Sequence, residues 1–66
     1  MLVYVGVIHW RGTLRDSIVE TALSEDGIVY LIRQHTRAEQ RGAEFYDAEG
    51  NLVAFYVRRH VGESEG

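Results

Sequence analysis

Seven consecutive residues near the start, Leu2-Val-Tyr-Val-Gly-Val-Ile8, carry no charge, and this run constrains the fold more than any other feature of the chain. Extended as a strand, it points Leu2, Tyr4 and Ile8 to one side and Val3, Val5 and Val7 to the other. Both sides are apolar. Residues 28–32 repeat the pattern, with Ile28, Tyr30 and Ile32 opposing Val29 and Leu31, and so do residues 52–57, with Leu52, Ala54 and Tyr56 opposing Val53, Phe55 and Val57. A strand that is apolar on both faces must be covered twice. In a chain of 66 residues without cysteine, no disulfide contributes to stability and one small core supplies roughly 3–5 kcal/mol. The sheet must therefore close into a small barrel or take its second cover from another subunit. A homo-oligomer is expected in either case, a dimer by default, with Tyr4, Ile8, Tyr30, Ile32, Leu52 and Tyr56 at the interface.

Turn chemistry divides the chain into five strands. Leu2 to Trp10 is rich in β-branched and aromatic residues and stops at Arg11-Gly12-Thr13. Ser17 to Leu23 alternates more weakly and forms the second strand. Ser24-Glu25-Asp26-Gly27 reads as a hairpin turn leading into a third strand, Ile28 to Ile32. Ala43 to Asp47 and Leu52 to Val57 flank Ala48-Glu49-Gly50-Asn51 as a second hairpin. Between the third and fourth strands, Thr36 and Glu39 have the spacing of a helix-capping pair, and Gly42 supplies a left-handed stop. The pattern predicts one short helix there, with a polar loop as the alternative.

The expected fold is thus mainly β, a single domain over residues 1–61 with a disordered acidic tail at 62–66. It is a five-stranded antiparallel sheet or small barrel in the order β-β-β-short helix-β-β. That element order is also the order of the OB-fold, whose barrel binds oligonucleotides on one face.

All seven basic residues are arginine. If the five strands run consecutively antiparallel, strands one, three and five share a direction. One end of the sheet then gathers His9, Trp10, Arg11 and Arg15, then Arg33, His35, Arg37 and Arg41, and finally Arg58, Arg59 and His60. The turns at the far end hold Glu25, Asp26, Asp47 and Glu49. Arginine forks, an indole face and imidazoles are groups that hold phosphates and stack on bases, so a nucleotide or single-stranded nucleic acid is the expected ligand of that end. The net charge of −3 argues against long duplex DNA, which selects a broad basic surface.

Other chemistry has less support. His9, His35 and His60 lack any short ligand spacing, so no metal or other cofactor is expected. Histidine, arginine and tyrosine together can cleave phosphodiesters, as in small nucleases. No base is fixed beside a nucleophile here, and a non-enzymatic protein is expected. The longest apolar run is far below the roughly 20 residues of a membrane helix, so the chain is expected to be cytoplasmic with no membrane partner. Two functions follow. One is a homo-oligomer holding an anionic ligand at its Arg/His/Trp end. The other is an accessory or inhibitor protein that docks on a larger protein through an apolar sheet face or edge strand.

Overall fold

The computed structural model describes residues 1–10 and 13–62, with the side chains of all but positions 10 and 13–16. Five antiparallel strands form one sheet with one short helix against it, as the pattern predicts. The elements are β1 (Leu2–Trp10), β2 (Thr13–Ala22), α1 (Glu25–Arg33), β3 (Glu39–Arg41), β4 (Glu44–Tyr46) and β5 (Leu52–His60). Across the sheet the strands are ordered β2-β1-β5-β4-β3, so it is open, with β2 and β3 at its edges. Among the described residues no helix is long and apolar enough to cross a membrane.

Two local expectations are corrected, and with them the element order. Ile28 to Ile32, expected as a strand after a hairpin turn, lies inside α1. Ser24 opens that helix in place of the turn, its Oγ accepting from the Gly27 amide at 3.0 Å. Glu25 and Asp26 fill the first turn and Arg33 the last, matching the helix dipole at both ends. Ile28 and Ile32, four apart, stack on one face and are fully buried. The helix expected at residues 36–42 is absent. Residues 36–38 are irregular, 39–41 form β3, and Gly42 uses its left-handed backbone (φ +64°) to turn β3 into β4. The order is therefore β-β-α-β-β-β, which differs from that of the OB-fold.

The helix crosses the sheet from edge β2 to edge β3, and β3, β4 and β5 then return as a meander that sets β5 antiparallel beside β1. At the ends of these central strands, Met1 and Val61 exchange backbone hydrogen bonds of 2.8 and 2.9 Å. Gly6 in β1 lets the helix approach, because a Cβ there would stand 3.1 Å from side-chain carbons of both Ile28 and Ile32. The side of β1 that carries Tyr4, Gly6 and Ile8 thus faces α1. The core lies on that side, formed by Ile8, Ile28, Ile32, Ala38, Phe45, Ala54 and Tyr56. The proposed tail falls at 63–66, outside the described residues, apart from Gly62.

Candidate functional site

Reversing one strand disperses the cations. Because 28–32 belongs to the helix that carries the chain across the sheet, β2 and β3 run the same way, and the fifth strand, β5, runs opposite to β1. Tyr4 pairs with Arg58, Val3 with Arg59 and Leu2 with His60, at the end of β1 remote from His9 and Trp10. The single Arg/His/Trp end is therefore corrected to several separate positions.

His9 lies on the sheet side away from the helix, its Nδ1 3.3 Å from Ser17 Oγ and its ring 5.9 Å from that of Phe55. Trp10 ends β1, and Arg11 lies outside the described residues. Arg33 closes the helix and donates to Gln40 at 3.3 Å. His35 Nε2 meets Glu20 Oε2 at 2.8 Å, which ties the segment after the helix to β2. Arg37 is exposed. Arg41 sits 5.2 Å above the Tyr46 ring and 3.5 Å from the Glu39 carboxylate. Among the described residues no three His, Cys, Asp or Glu side chains gather as metal ligands.

The expected interface set also divides. Ile8, Ile32 and Tyr56 are 2%, 0% and 6% exposed, so they belong to the subunit's own core. Tyr4 is partly buried and packs edge-on against Tyr56, with ring centres 6.0 Å apart. Tyr30 is exposed on the helix, and Leu52 is exposed at the start of β5. The assumption that failed is that 28–32 lies in the sheet. As a helix, this segment itself covers one apolar face.

What remains uncovered is the other face. In register across β2, β1 and β5 stand Val19, Val7 and Phe55, then Thr21, Val5 and Val57, with Val3 beside Arg59. Val19 is 61% and Val57 46% exposed, and Val3, Val5, Val7 and Phe55 are half-buried. Phe55 also neighbours Glu44, where polar groups take over: the Tyr46 hydroxyl donates to Glu44 at 2.6 Å, and Glu39 and Arg41 lie beyond on β3. The bond to the Glu44 carboxylate, with burial second, holds the Tyr46 phenol above its usual pKa. An apolar centre bounded by polar side chains has the layout of an interface. These valines were legible as the second side of the strands, but the sequence did not single them out from the first.

A separate feature lies on the helix side. Tyr4, Glu25, Tyr56, Arg58 and the Gly42–Ala43 turn line a cleft of about 310 Å³. The partly buried Tyr56 hydroxyl donates to the Glu25 carboxylate. Burial, then this bond and the charge of Glu25, push the Tyr56 phenol up to about 12.

No protein-family model matches the chain, and no curated protein or solved structure matches it either. Its function has to be argued from its own surfaces.

Proposed function

We propose that this chain is a small non-enzymatic docking protein that self-associates through the open valine face of its sheet. The observation that carries the reading is that face itself: Val3, Val5, Val7, Val19, Phe55 and Val57 on three adjacent strands, with α1 on the opposite side. Scattered apolar side chains are normal on a protein surface, whereas a contiguous group framed by polar residues marks an interaction site. A second copy is the favoured occupant. The face is broad and strand-built, and two such sheets can stack at an angle of about 30° with their inner side chains interleaved. Among the described residues the core holds seven buried hydrophobic side chains, so a second layer between sheets adds substantially to a marginal domain.

Light scattering at micromolar concentration tests the proposal. A dimer has twice the 7.5 kDa of the chain. Val57→Glu and Val19→Glu place a charge on either flank of the face and should give monomers whose circular dichroism is unchanged. A monodisperse wild-type monomer refutes self-association. If such a monomer co-purifies with a different protein and Val57→Glu releases that protein, the docking face stands with another occupant.

A further inference from the structure

The cleft between the start of α1, the Gly42–Ala43 turn and the last turns of β5 bears two opposite charges that do not meet. Glu25 and Arg58 both line it. The ion pairs among the described residues join His35 to Glu20 and Arg41 to Glu39, and neither includes Glu25 or Arg58. One carboxylate oxygen of Glu25 is held by the hydroxyl of Tyr56, which is itself 94% buried and anchored in the core. Arg58 reaches the cleft from β5, where it pairs with Tyr4 on the helix side of the sheet. The Tyr4 ring also lines the cleft with an apolar and weakly electronegative face, and its edge-on packing against Tyr56 limits its rotation.

We propose that this cleft binds a small zwitterion of the α-amino-acid class, with its carboxylate on Arg58 and its ammonium between Glu25 and the Tyr4 ring. Each part of the ligand has a chemical reason. A guanidinium binds a carboxylate through two parallel N–H bonds, the geometry for which arginine is best suited. An ammonium is attracted by a carboxylate and by an aromatic face. Glu25 with Asp26 in the next position makes that wall net negative, and it repels a ligand that carries only negative charge. A neutral ligand with separated charges suits both walls. The volume lies at the lower end of the range for small-molecule sites, enough for one amino acid and not for a long peptide. Among the described side chains of the eleven residues expected at the anion-binding end, Arg58 lines this cleft. The site lies on the helix side of the sheet, so it stands or falls separately from the docking face.

Three related probes separate the two charges: L-leucine, L-leucinamide, which lacks the carboxylate, and N-acetyl-L-leucine, which lacks the ammonium. In an amide-resolved NMR titration, L-leucine should shift the signals of Gly42, Ala43 and Arg58 saturably, and each of the other two should bind about tenfold more weakly or worse. Arg58→Gln alters an exposed residue and keeps the fold. In that variant L-leucine should fall to the affinity of its amide, and the difference between them should vanish. Glu25→Gln should remove the discrimination against N-acetyl-L-leucine. Equal binding of all three probes to the wild type overturns the proposal, as does the absence of saturable shifts. A stronger response to a nucleotide than to L-leucine at the same signals also overturns it, and assigns the cleft to an anion instead.

Discussion

Replacing Gly6 by valine tests the central packing relation of this fold. The Cβ alone would lie 3.1 Å from Ile28 Cδ1, Ile28 Cγ1 and Ile32 Cδ1, inside ordinary van der Waals contact, and both isoleucines are fully buried. The two further methyl groups of valine need space that those side chains occupy. Overpacking of this kind costs about 1–3 kcal/mol. Two effects oppose it. A β-branched residue favours a strand by up to about 1 kcal/mol, and removing glycine lowers the entropy of the unfolded chain by about 0.4–1 kcal/mol. The clash involves three atoms against a closed core, so destabilisation wins. In a domain of this size 1 kcal/mol shifts Tm by roughly 4–8 °C, and a fall of roughly 5–15 °C is expected. The assay is thermal and urea unfolding followed by circular dichroism at one fixed protein concentration, because self-association makes Tm depend on concentration. Ile28→Val deletes the offending Cδ1 and alone costs about 0.5–1.5 kcal/mol. Combined with Gly6→Val, it should cost less than the sum of the two, with a coupling of about 0.5 kcal/mol or more. A Gly6→Val protein as stable as wild type, or strict additivity with Ile28→Val, would refute the contact and return residues 28–32 to the sheet.

Ser24→Ala removes the acceptor for the Gly27 amide and should lower stability by about 1 kcal/mol, read as a fall in urea midpoint at unchanged m-value. The Tyr56 phenol, pushed up to about 12 by burial and by Glu25, should ionise last of the tyrosines in an ultraviolet titration. Its folded pKa is raised, so its contribution to stability is complete below pH 10 and is lost as pH rises from 10 toward 12. Tyr56→Phe should abolish that late phenolate signal and flatten the alkaline loss. Tyr30→Glu and Tyr56→Glu should behave oppositely: Tyr30 is 64% exposed and tolerates the charge with no change in mass or fold, whereas Tyr56 is 6% exposed and its replacement should unfold the chain. Dissociation of the assembly by Tyr30→Glu would move the interface to the helix.

Much of the secondary structure follows from local chemistry. The alternation in Leu2–Trp10, the weaker one in residues 17–23 and the turn at 48–51 all specify strands that the structure contains, because period and turn residues act over a few positions. The five apolar residues Ile28 to Ile32 do not decide their own conformation, since an unbroken apolar run fits a buried strand or a buried helix. The deciding signals were at its ends. Ser24 followed by Glu25 and Asp26, with Arg33 closing the segment, is a helix pattern, and the same Asp-Gly step resembles a hairpin turn. Thr36 and Glu39 show the reverse ambiguity, with capping spacing in a segment that pairs as an edge strand.

The sequence by itself determined that this chain is a small β-rich domain whose strands are apolar on both sides, because side-chain alternation is a property of the extended backbone and is independent of neighbours. It also determined that one helix could cover only one of those sides. Only the tertiary structure decided which one. The direction of β5 depends on where the helix falls in the chain, since each strand in an antiparallel sheet reverses the last, and exchanging a strand for a crossing helix moved Arg58, Arg59 and His60 to the far end from His9. The helix lies on the side where Gly6 leaves room for it, which left Val5, Val7, Val19 and Val57 outward and brought Arg58 and Glu25 to the lining of one cleft. Close approach of a helix to a sheet depends on a contact between residues 22 and more positions apart, and no local pattern encodes that distance.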